Sequence, residues 1–453
     1  MALGGGTWTI QNKKLPGAYV NFISANRATS LLSERGIAAM PLILNWGVEG
    51  EVFKITNEDF EENALKIFGY DYADENLTGI RDLFLNAKAL LAFRLGTGTK
   101  ATCKYCNAKY SGTRGNDLKI VVTEIKNNAN ETTGFNVKTM IDNSVVDSQD
   151  VFAENNSMAR IGGIEEGPTI PVIVKTNLLQ DNDFVNWTSD ISLEAGTVSL
   201  SGGTNSTPTT ENYSEFLKKI EPYAFNTIGC ADTTEAVKKL FVAFTKRMRD
   251  ECGVKFQCVL HKYETADYEG IISVENNTDA NLVYWTVGAS AGCEINKSNT
   301  NKIYNGEFEV DTNFTQTELE NALAFGKFIF HKVGDDIRVL EDINTLVTTT
   351  AEKGDDFKYS QTVRVLDQIA NDIATIFNTK YLGVIPNDES GRISLWNDIV
   401  KHHQELQNIR AIENFQPDNV TVSAGNTKKA VVVFDKITPT NCMAQLYMQC
   451  IVE

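Results

Sequence analysis

The sequence is poor in the residue that most often supports acid–base and metal chemistry. Its 453 residues include only four histidines, at positions 261, 331, 402 and 403. Histidine is the side chain whose ordinary titration falls near neutral pH, and it is the commonest metal ligand. No pattern for a nucleophile elbow, a zinc-protease helix, a calcium loop or a pair of catalytic carboxylates stands up in its sequence context. We therefore expect no catalytic site, no metal site and no cofactor.

The sequence also lacks long apolar runs and an excess of positive charge. No run approaches the ~18–20 apolar residues that span a bilayer, and the first residues, MALGGGTWTIQNKK, contain no apolar signal-peptide segment. The 42 Lys and Arg residues against 59 Asp and Glu residues give a formal net charge of -17. Such a charge disfavours nonspecific binding to nucleic acids or anionic membranes. We expect a chain that folds in a cytoplasm, without a nucleic-acid partner and without membrane insertion.

Eight cysteines are present, but their spacing does not indicate a metal clamp. The one CxxC pair, Cys103 and Cys106, lies in a segment from Lys100 to Tyr110 that reads as a single strand. On such a strand the two thiols would point to opposite faces. No second pair lies nearby to complete a tetrahedral site. We therefore expect eight reduced and mostly buried thiols.

The glycine-rich stretch SGTRGNDLKI, residues 111–120, invites comparison with a phosphate-binding loop. Such a loop usually opens a helix and has a Lys-Ser/Thr pair after its last glycine. Here the residues from Asp117 to Thr123 alternate and are β-branched, which predicts a strand. The stretch therefore predicts a tight turn in which Gly112 and Gly115 supply positive φ angles.

The character of the sequence changes twice along the chain. A buried strand within residues 34–47, a helix at Thr78–Leu91 and a strand at Ala92–Leu95 indicate an α/β unit. Short strands broken by Gly, Asn and Asp then run from about 98 to 198, as in a β-sandwich or small barrel. After the turn-rich residues 199–206, helices and strands alternate again, and a helix at Arg392–Arg410 completes the set. We expect a multidomain α+β or α/β protein, with a mixed α/β core and an inserted β-sandwich-like domain.

Both ends of the sequence carry strand-like patterns. Val20 and Phe22 share one face of Leu15–Phe22, and the residues from Met443 to Val452 alternate in the same way. The residues on one face of the second stretch are Ala444, Leu446, Met448, Cys450 and Val452. A strand needs a sheet, so each end either closes a sheet of its own chain or adds to the edge of a neighbour's sheet.

Seven stretches spread over the chain carry a resemblance to a known family. They are Leu15–Phe22, Gly112–Leu118, Lys246–Asp250 leading into Val254–Gln257, Asn296–Asn301, Val339–Asn344, Val365–Asp372 and Gly391–Asn397. None of them is a catalytic motif, so the specificity lies in their number and order. In these stretches the sequence closely resembles tail sheath proteins of contractile-tailed bacteriophages, of the type found in Gram-positive prophages and phage-like particles. Cys103 and Cys106 are a local departure from the family.

The resemblance implies a structural subunit and no enzyme activity. Such subunits stack as six-membered rings around a tail tube and contract to drive the tube through a bacterial envelope. The implied partners are other copies of the chain, the tail tube protein, and the baseplate and tail terminator proteins. The implied location is the tail of a virion or of a phage-like particle assembled in the host cytoplasm. An infectious phage and a DNA-free contractile bacteriocin are both compatible with the sequence.

The resemblance also implies two kinds of functional residue. Terminal arms donate strands to adjacent subunits, which makes the following residues the expected links: Ala18, Val20, Phe22, Leu446, Met448, Cys450 and Val452. An inner helix holds the tube partly by charge, and the candidates for this contact are Arg392, Lys401, His402 and Arg410. An ordinary solvated helix face is the alternative for these four residues.

The domain boundaries follow from the same pattern. We expect an N-terminal arm with a strand (1–24), the first part of the α/β domain (25–97), the inserted β domain (98–198), the α/β core with a tube-facing helix at 391–410 (199–420), and C-terminal strands and arm (421–453). A monomeric binding module and an unrecognised enzyme remain open as other classes of function. A monomeric module would keep both terminal strands in its own sheet, whereas an enzyme would need a convergent polar pocket.

Overall fold

The computed structural model describes residues 32–152, 174–189 and 191–452. The chain divides into two compact units. The large unit comprises Arg35–Asp367 and the residues from Asn441 onward, and the small unit comprises Gln368–Thr440 and the residues up to Glu34. The predicted strand around Ala18, Val20 and Phe22 lies outside the described residues.

The strands, in chain order, are β1 (Ile37–Ile43), β2 (Val52–Thr56), β3 (Ala89–Leu95), β4 (Gly98–Thr102), β5 (Cys106–Ser111), β6 (Leu118–Lys126), β7 (Thr132–Ile141), β8 (Ser144–Phe152), β9 (Val185–Trp187), β10 (Gly196–Ser199), β11 (Thr204–Asn205), β12 (Thr227–Cys230), β13 (Gln257–His261), β14 (Ile271–Val274), β15 (Lys327–Phe328), β16 (Phe330–Val333), β17 (Asp336–Val339), β18 (Val420–Ala424) and β19 (Val431–Asp435). The helices are α1 (Asn57–Phe68), α2 (Thr78–Phe84), α3 (Thr210–Ile220), α4 (Glu235–Lys246), α5 (Leu282–Gly292), α6 (Gln316–Ala324), α7 (Ser360–Ile376) and α8 (Glu389–Asn408).

The centre of the large unit is a seven-stranded sheet in the order β15-β14-β13-β12-β1-β3-β2. Neighbouring strands run parallel except for β2, which is antiparallel to β3 at the edge. Alternate residues of β1 serve the two faces, because Met40 packs in one apolar cluster with α2 and α5, whereas Ala39 packs in another with α3 and α4. Helices thus cover both faces, which is the usual environment of a parallel sheet.

The predicted inserted β domain is a sandwich of two four-stranded sheets. Their orders are β10-β6-β7-β8 and β11-β4-β5-β9. Side chains from both sheets, including Ile120 and Val137 from one and Ala108 and Val185 from the other, form a single buried cluster. The alternating pattern of residues 98–198 therefore predicted the architecture correctly, because each sheet has one buried face.

The small unit contains the C-terminal part of α7, the whole of α8 and a two-stranded antiparallel sheet of β18 and β19. The carboxylate of Asp388 caps α8 by accepting a hydrogen bond from the amide of Gly391, 2.7 Å away. The indole nitrogen of Trp396 on α8 donates to the carbonyl of Val420 over 2.9 Å. This bond attaches the first residue of β18 to the helix.

Three local predictions were wrong. The helix expected at Thr78–Leu91 ends at Phe84, and β3 already begins at Ala89, because the intervening residues turn the chain into the sheet. The single strand expected at Lys100–Tyr110 is a hairpin of β4 and β5. Gly112 has the expected positive φ, 123°. Gly115 does not have a positive φ, so the backbone conformation does not explain this glycine. A Cβ atom on Gly115 would lie only 3.0 Å from the Cβ of Ala101, and close packing is therefore the reason for this glycine.

The residues Gly288-Ala-Ser-Ala-Gly292 have the spacing of a nucleophile elbow but lie inside α5. Such an elbow requires a sharp strand-to-helix turn that exposes the serine. Ser290 is instead buried, and its hydroxyl contacts that of Thr227 at 3.2 Å. A Cβ atom on Gly288 would approach the carbonyl oxygen of Leu83 to 2.2 Å, so the glycine allows α2 and α5 to pack closely. The motif is structural.

Candidate assembly surfaces

The last described residues form an arm, residues 443–452, that projects from a well-anchored root. At the root, the amide of Cys442 donates to the side chain of Gln361 over 3.0 Å, and the hydroxyl of Thr362 donates to Asn441 over 3.1 Å. Beyond Cys442 the described residues form no helix, strand or bridge. None of the ten residues of the arm is charged. The arm is therefore a neutral extension of a strongly acidic chain.

The arm exposes large apolar side chains. Leu446 is 85% exposed and Met448 is 76% exposed, and Met443, Tyr447, Ile451 and Val452 are exposed to a similar or greater degree. The predicted strand at 443–452 thus does not join a sheet of its own chain within the described structure. Scattered exposed apolar residues are ordinary on protein surfaces, but a contiguous run of them marks an interaction site.

The sheet of β18 and β19 is a second candidate surface, because no third strand pairs with it among the described residues. Its register pairs Val420 with Asp435 and Ala424 with Val431, and among the described residues no third strand joins either side. On β19, Phe434 is 66% exposed and Val432 is 53% exposed. An isolated two-stranded sheet is marginally stable in water. Both outer edges present backbone donors and acceptors that another strand could pair with.

C-terminal strands were expected within residues 421–453, but their pairing into this sheet was not. A signal was present, since Val-Thr-Val-Ser-Ala at 420–424 and Val-Val-Val-Phe-Asp at 431–435 flank a Gly-Asn pair at 425–426. Two β-branched runs around such a turn signal indicate a hairpin. What the sequence could not show is that the hairpin has no further partner within the described part of the chain.

The exposed side of α8 forms a stripe that consists of Ile393, Ser394, Asn397, Lys401, Gln404 and Asn408, with Arg410 just beyond the helix. None of these stripe residues carries a carboxylate, although Glu389 at the start of the helix is exposed and Glu405 is half-buried. Asp398 is only half-buried, but it is already engaged by the hydroxyl of Tyr381 at 2.8 Å and the ammonium of Lys380 at 3.2 Å. The α8 stripe is therefore neutral to positive, which is unusual for a chain whose net charge is -17.

The four residues proposed for this helix do not all lie on the stripe. Lys401 and Arg410 are exposed, whereas Arg392 is half-buried and its guanidinium donates to the backbone and side-chain oxygens of Asn387. His402 is fully buried, so its side chain cannot contribute to a surface contact of this helix. The expectation for His402 is therefore corrected. The sequence placed it next to Lys401 but could not show that the helix turns it inward.

His402 instead belongs to a buried chain of polar groups within the small unit. Its Nε2 contacts a carboxylate oxygen of Asp372 at 3.1 Å, and its Nδ1 contacts Nδ1 of His403 at 3.2 Å. Nε2 of His403 contacts the carboxylate of Asp435 at 2.7 Å. The same Asp372 accepts a hydrogen bond from the hydroxyl of Ser33 at 2.5 Å. His403 is also fully buried, and the chain of contacts ties β19 to α8 and α7.

The turn at Gly112–Asp117 has a structural role. A Cβ atom on Gly112 would lie 2.0 Å from the carbonyl oxygen of Asn45, so no larger residue fits there. Buried Arg114 donates to the carbonyl of Gly69 at 2.6 Å and to the carboxylates of Asp142 and Asp117 at 2.6 and 2.9 Å. The cation is thus used inside the large unit to connect the β-sandwich to the turn after α1. The prediction of a turn without phosphate chemistry agrees with this use of the arginine.

The cysteine pair differs from expectation in its geometry. Because residues 103–105 form the turn between β4 and β5, the sulfurs of Cys103 and Cys106 lie 3.6 Å apart rather than on opposite faces. The expectation of mostly buried thiols was also only half right. Cys106, Cys230, Cys258 and Cys293 are buried, Cys103 is half-buried, and Cys252, Cys442 and Cys450 are exposed.

Neither a metal centre nor a membrane-spanning helix is found in the described ranges. Within residues 32–152, 174–189 and 191–452, no group of three or more His, Cys, Asp or Glu side chains could hold a metal ion. Over the same residues, no helix combines the length and the apolar character needed to cross a membrane.

Comparison with known proteins gives a consistent family. The phage tail sheath protein central domain matches residues 206–345, and the phage tail sheath C-terminal domain matches residues 352–453. The N-terminal region of domain III of the tail sheath protein Gp18 matches residues 35–95. Together these three matches span both the seven-stranded sheet and the region that contains α8 and β18–β19.

Relatives match over nearly the whole length. The phage-like element PBSX protein XkdK of Bacillus subtilis is 31% identical over 98% of this chain and 99% of its own. The crystal structure of a sheath tail protein from Desulfitobacterium hafniense is 34% identical, has a TM-score of 0.78 and covers 93% of this chain and 96% of that one. The contracted helical sheath of the anti-feeding prophage shares the fold, with a TM-score of 0.53 at 10% identity over 97% of this chain and 99% of that one. The chain belongs to the phage tail sheath family, and it is a structural protein of the tail rather than an enzyme.

Proposed function

We propose that this chain is the repeating subunit of a contractile sheath, that it stacks as hexameric rings around a tail tube, and that neighbouring subunits are linked by exchanged strands. The observation that carries the proposal is that one chain contains two incomplete surfaces. The arm at residues 443–452 is an unpaired apolar segment, and the β18–β19 sheet has two unpaired edges among the described residues.

The arm has the length and the pattern of a donated strand. Ten extended residues reach about 33 Å, which is enough to leave one subunit and pair with the next. Leu446, Met448, Cys450 and Val452 would share one face and cover the apolar side chains that β19 exposes, Val432 and Phe434. The backbone of the arm would satisfy one edge of β18–β19 by strand addition.

The N-terminal arm supplies the second strand in this proposal. Its pattern places Ala18, Val20 and Phe22 as the linking residues, and the other edge of β18–β19 is the matching acceptor. A chain that donates two strands and accepts two others makes head-to-tail contacts that do not close on themselves. Such contacts generate helical arrays.

Contraction then occurs as a change of packing between rigid bodies. The large unit is built around a seven-stranded sheet with buried clusters on both faces, so it can move as one body. Donated strands keep the subunits connected while these bodies change neighbours, and the energy is stored at assembly rather than supplied by a nucleotide. The fold shared with a helical sheath in its contracted state supports this view.

The α8 stripe is the surface proposed to face the tail tube. Lys401 and Arg410 are its exposed cations, and the exposed carboxylate of the described helix, that of Glu389, lies at its first residue, outside the stripe. The proposed partner surface is acidic, and the contact is expected to weaken at high salt because exposed charge pairs are screened. The baseplate and tail terminator proteins would contact the two ends of the array, and assembly would take place in the host cytoplasm.

Electron microscopy of the purified protein tests the strand exchange. The full chain is expected to form ring-stacked tubes at high concentration, whereas chains without residues 1–22 or ending at Cys442 are expected to remain compact monomers. The paired change Leu446→Asp with Met448→Asp should also stop polymerisation. Gln445→Asp with Gln449→Asp is the matched control, because it adds the same charge to the other face of the arm.

Thermal unfolding keeps loss of assembly distinct from loss of folding. All four arm positions are exposed in the monomer, so these variants should unfold at the temperature of the unmodified chain. Tubes that persist without residues 443–453 would contradict the proposed link. If the control variant lost assembly to the same extent, the added negative charge, and not the face of the arm that carries it, would account for the loss.

A further inference from the structure

We infer that Cys103 and Cys106 form a redox-active pair in which Cys103 exchanges with a low-molecular-weight disulfide and Cys106 resolves the product into an intramolecular disulfide. The site lies at the tip of the β4–β5 hairpin of the β-sandwich. It contains no residue of the arm, of β18–β19 or of α8.

The geometry of the turn brings the two sulfurs together. The amide of Cys103 donates to the carbonyl of Cys106 over 2.9 Å, which closes the turn. The sulfurs are 3.6 Å apart, and a disulfide bond of about 2.05 Å requires only a small adjustment of the two side chains. The amide of Tyr105 also donates to the sulfur of Cys103 at 3.4 Å. Such a donor stabilises a thiolate.

The residues between the cysteines hold the turn in place. Tyr105 is fully buried, and its carbonyl accepts hydrogen bonds from the amide and the hydroxyl of Thr188 at 2.9 and 2.8 Å. The ammonium of Lys104 lies 2.6 Å from the carboxylate of Glu194, which places a cation next to Cys103 in the chain. A turn fixed on both sides keeps the sulfurs close in the reduced state. The pair is therefore preorganised for exchange.

The two thiols have the asymmetry of an attacking and a resolving cysteine. Cys103 is half-buried, whereas Cys106 has no exposed surface. The hydrogen bond from the Cys106 thiol, with those from backbone amides, lowers the pKa of Cys103 to about 6 despite its partial burial. The same hydrogen bond, together with burial, raises the pKa of Cys106. Cys103 is thus a thiolate at neutral pH, and Cys106 keeps its proton until the second step.

The reaction balances with a small disulfide such as oxidised glutathione as the oxidant. The Cys103 thiolate attacks one sulfur, the small disulfide bond breaks, and one small thiolate leaves. Cys106 then gives its proton to the departing thiolate and attacks the Cys103 sulfur of the mixed disulfide. That bond breaks and the second small thiol leaves. Two protein thiols are oxidised, and one small disulfide is reduced to two thiols.

The test uses the full chain with the three exposed cysteines, Cys252, Cys442 and Cys450, replaced by serine. After treatment with oxidised glutathione, intact-mass spectrometry should show the loss of two hydrogen atoms and no stable glutathionyl adduct. Peptide mapping should place the disulfide at Cys103 and Cys106. A stable glutathione adduct on Cys103, or no reaction at either residue, would overturn the proposal.

Two further variants separate the roles. In the same background, Cys106→Ala should trap one glutathionyl group on Cys103, and Cys103→Ser should leave Cys106 unmodified because it is buried. Alkylation of Cys103 by iodoacetamide should rise about tenfold between pH 5 and pH 7, as expected for a thiolate forming near pH 6. In Cys106→Ala the rate at pH 7 should fall by roughly tenfold, since the hydrogen-bond donor that stabilises the thiolate is lost. An unchanged alkylation rate in that variant would show that Cys106 does not stabilise the Cys103 thiolate.

Discussion

The mainly parallel seven-stranded sheet of the large unit and the antiparallel β18–β19 sheet of the small unit differ in how far the described residues of the chain complete them. In the first, helices cover both faces, and strands such as β13 and β14 are buried at every position. In the second, two strands stand without a third among the described residues, and most of β19 is exposed. The first sheet is buried within its own chain, whereas the second has no further partner strand among the described residues.

Under the proposed function, this difference separates the region that stabilises the folded subunit from the region that links it to its neighbours. A buried parallel sheet gains its free energy of folding before any neighbour arrives. In the proposed assembly, the open two-stranded sheet and the apolar arm gain free energy when a neighbour supplies the missing strand. Substitutions in the two regions should therefore differ in what they affect, and the same replacement can be compared in both.

Phe241→Ala should produce the largest loss of folding stability. Phe241 is fully buried on α4, and its ring stacks on that of Phe216 with centroids 6.1 Å apart. Removal of a buried phenylalanine side chain is expected to lower the free energy of unfolding by about 3–5 kcal/mol. Denaturant unfolding of the monomer measures this loss. A loss below about 1 kcal/mol would mean that the cluster relaxes around the cavity.

Asp435→Ala should lower stability by less than Phe241→Ala does, and only around β18–β19. The carboxylate of Asp435 is the contact of buried His403 at 2.7 Å, and its removal leaves that ring nitrogen without its partner on β19. We expect the local opening free energy of β18–β19 to fall by about 1–3 kcal/mol. Hydrogen exchange should show faster exchange of these amides and unchanged exchange in β13. Equal acceleration in both sheets would contradict the separation of the two regions.

Phe434→Ala makes the same replacement as Phe241→Ala, but on the open sheet. Phe434 is 66% exposed, so the free energy of unfolding of the monomer should change by less than about 0.5 kcal/mol. If a donated strand covers this side chain, its loss should raise the critical concentration for assembly about tenfold. Light scattering against protein concentration gives this value. An unchanged critical concentration would place Phe434 outside the subunit contact.

Asp82→Asn should have the smallest effect, which is a change in how the free energy of unfolding depends on pH. Burial raises the pKa of Asp82 above its ordinary value, although hydrogen bonds from Glu307 and Tyr304 act in the opposite direction. The folded protein therefore binds this proton at a higher pH than the unfolded chain does. The contribution of this group is fully present below the unfolded pKa and is lost as the pH rises through the folded pKa.

The comparison with the variant isolates that contribution. As the pH is lowered through this window, the free energy of unfolding of the unmodified chain should rise relative to that of Asp82→Asn. Denaturant unfolding of both chains at several pH values measures the difference. Parallel pH profiles would show that the proton on Asp82 does not contribute.

The sequence predicted those features that depend on local pattern. Short strands broken by Gly, Asn and Asp indicated the β-sandwich. The helical spacing of Val237, Leu240, Phe241, Phe244 and Met248 indicates a helix, and α4 contains all of them except Met248, which lies just beyond its end. Leu240 is half-buried and the other four are buried. The tight turn at Gly112 followed from glycine chemistry. The strand expected in the C-terminal arm stays a prediction, because the described arm has no partner strand. These features need only neighbours along the chain.

The features that the sequence did not predict depend on contacts between distant residues or on a single turn. His402 and Lys401 are adjacent in sequence, but only the packing of α8 against Asp372 turns the histidine inward. Three turn residues between β4 and β5 decide that Cys103 and Cys106 meet, and a pattern of period two cannot show that the strand stops at Thr102. The open edges of β18–β19 could not be read from sequence, because an edge is defined by what does not pair with it.

The uncharged arm has a consequence for the ionic strength at which subunits join. Bodies with a net charge of -17 repel one another at long range, whereas the ten residues 443–452 carry no charge to repel. The arm can therefore reach a neighbouring sheet, but the bodies must still approach. At roughly 0.15 M salt the screening length is about 8 Å, so the charges of two subunits repel each other only when the subunits are nearly in contact. Dilute salt should keep this protein dispersed, and added salt should bring the subunits together.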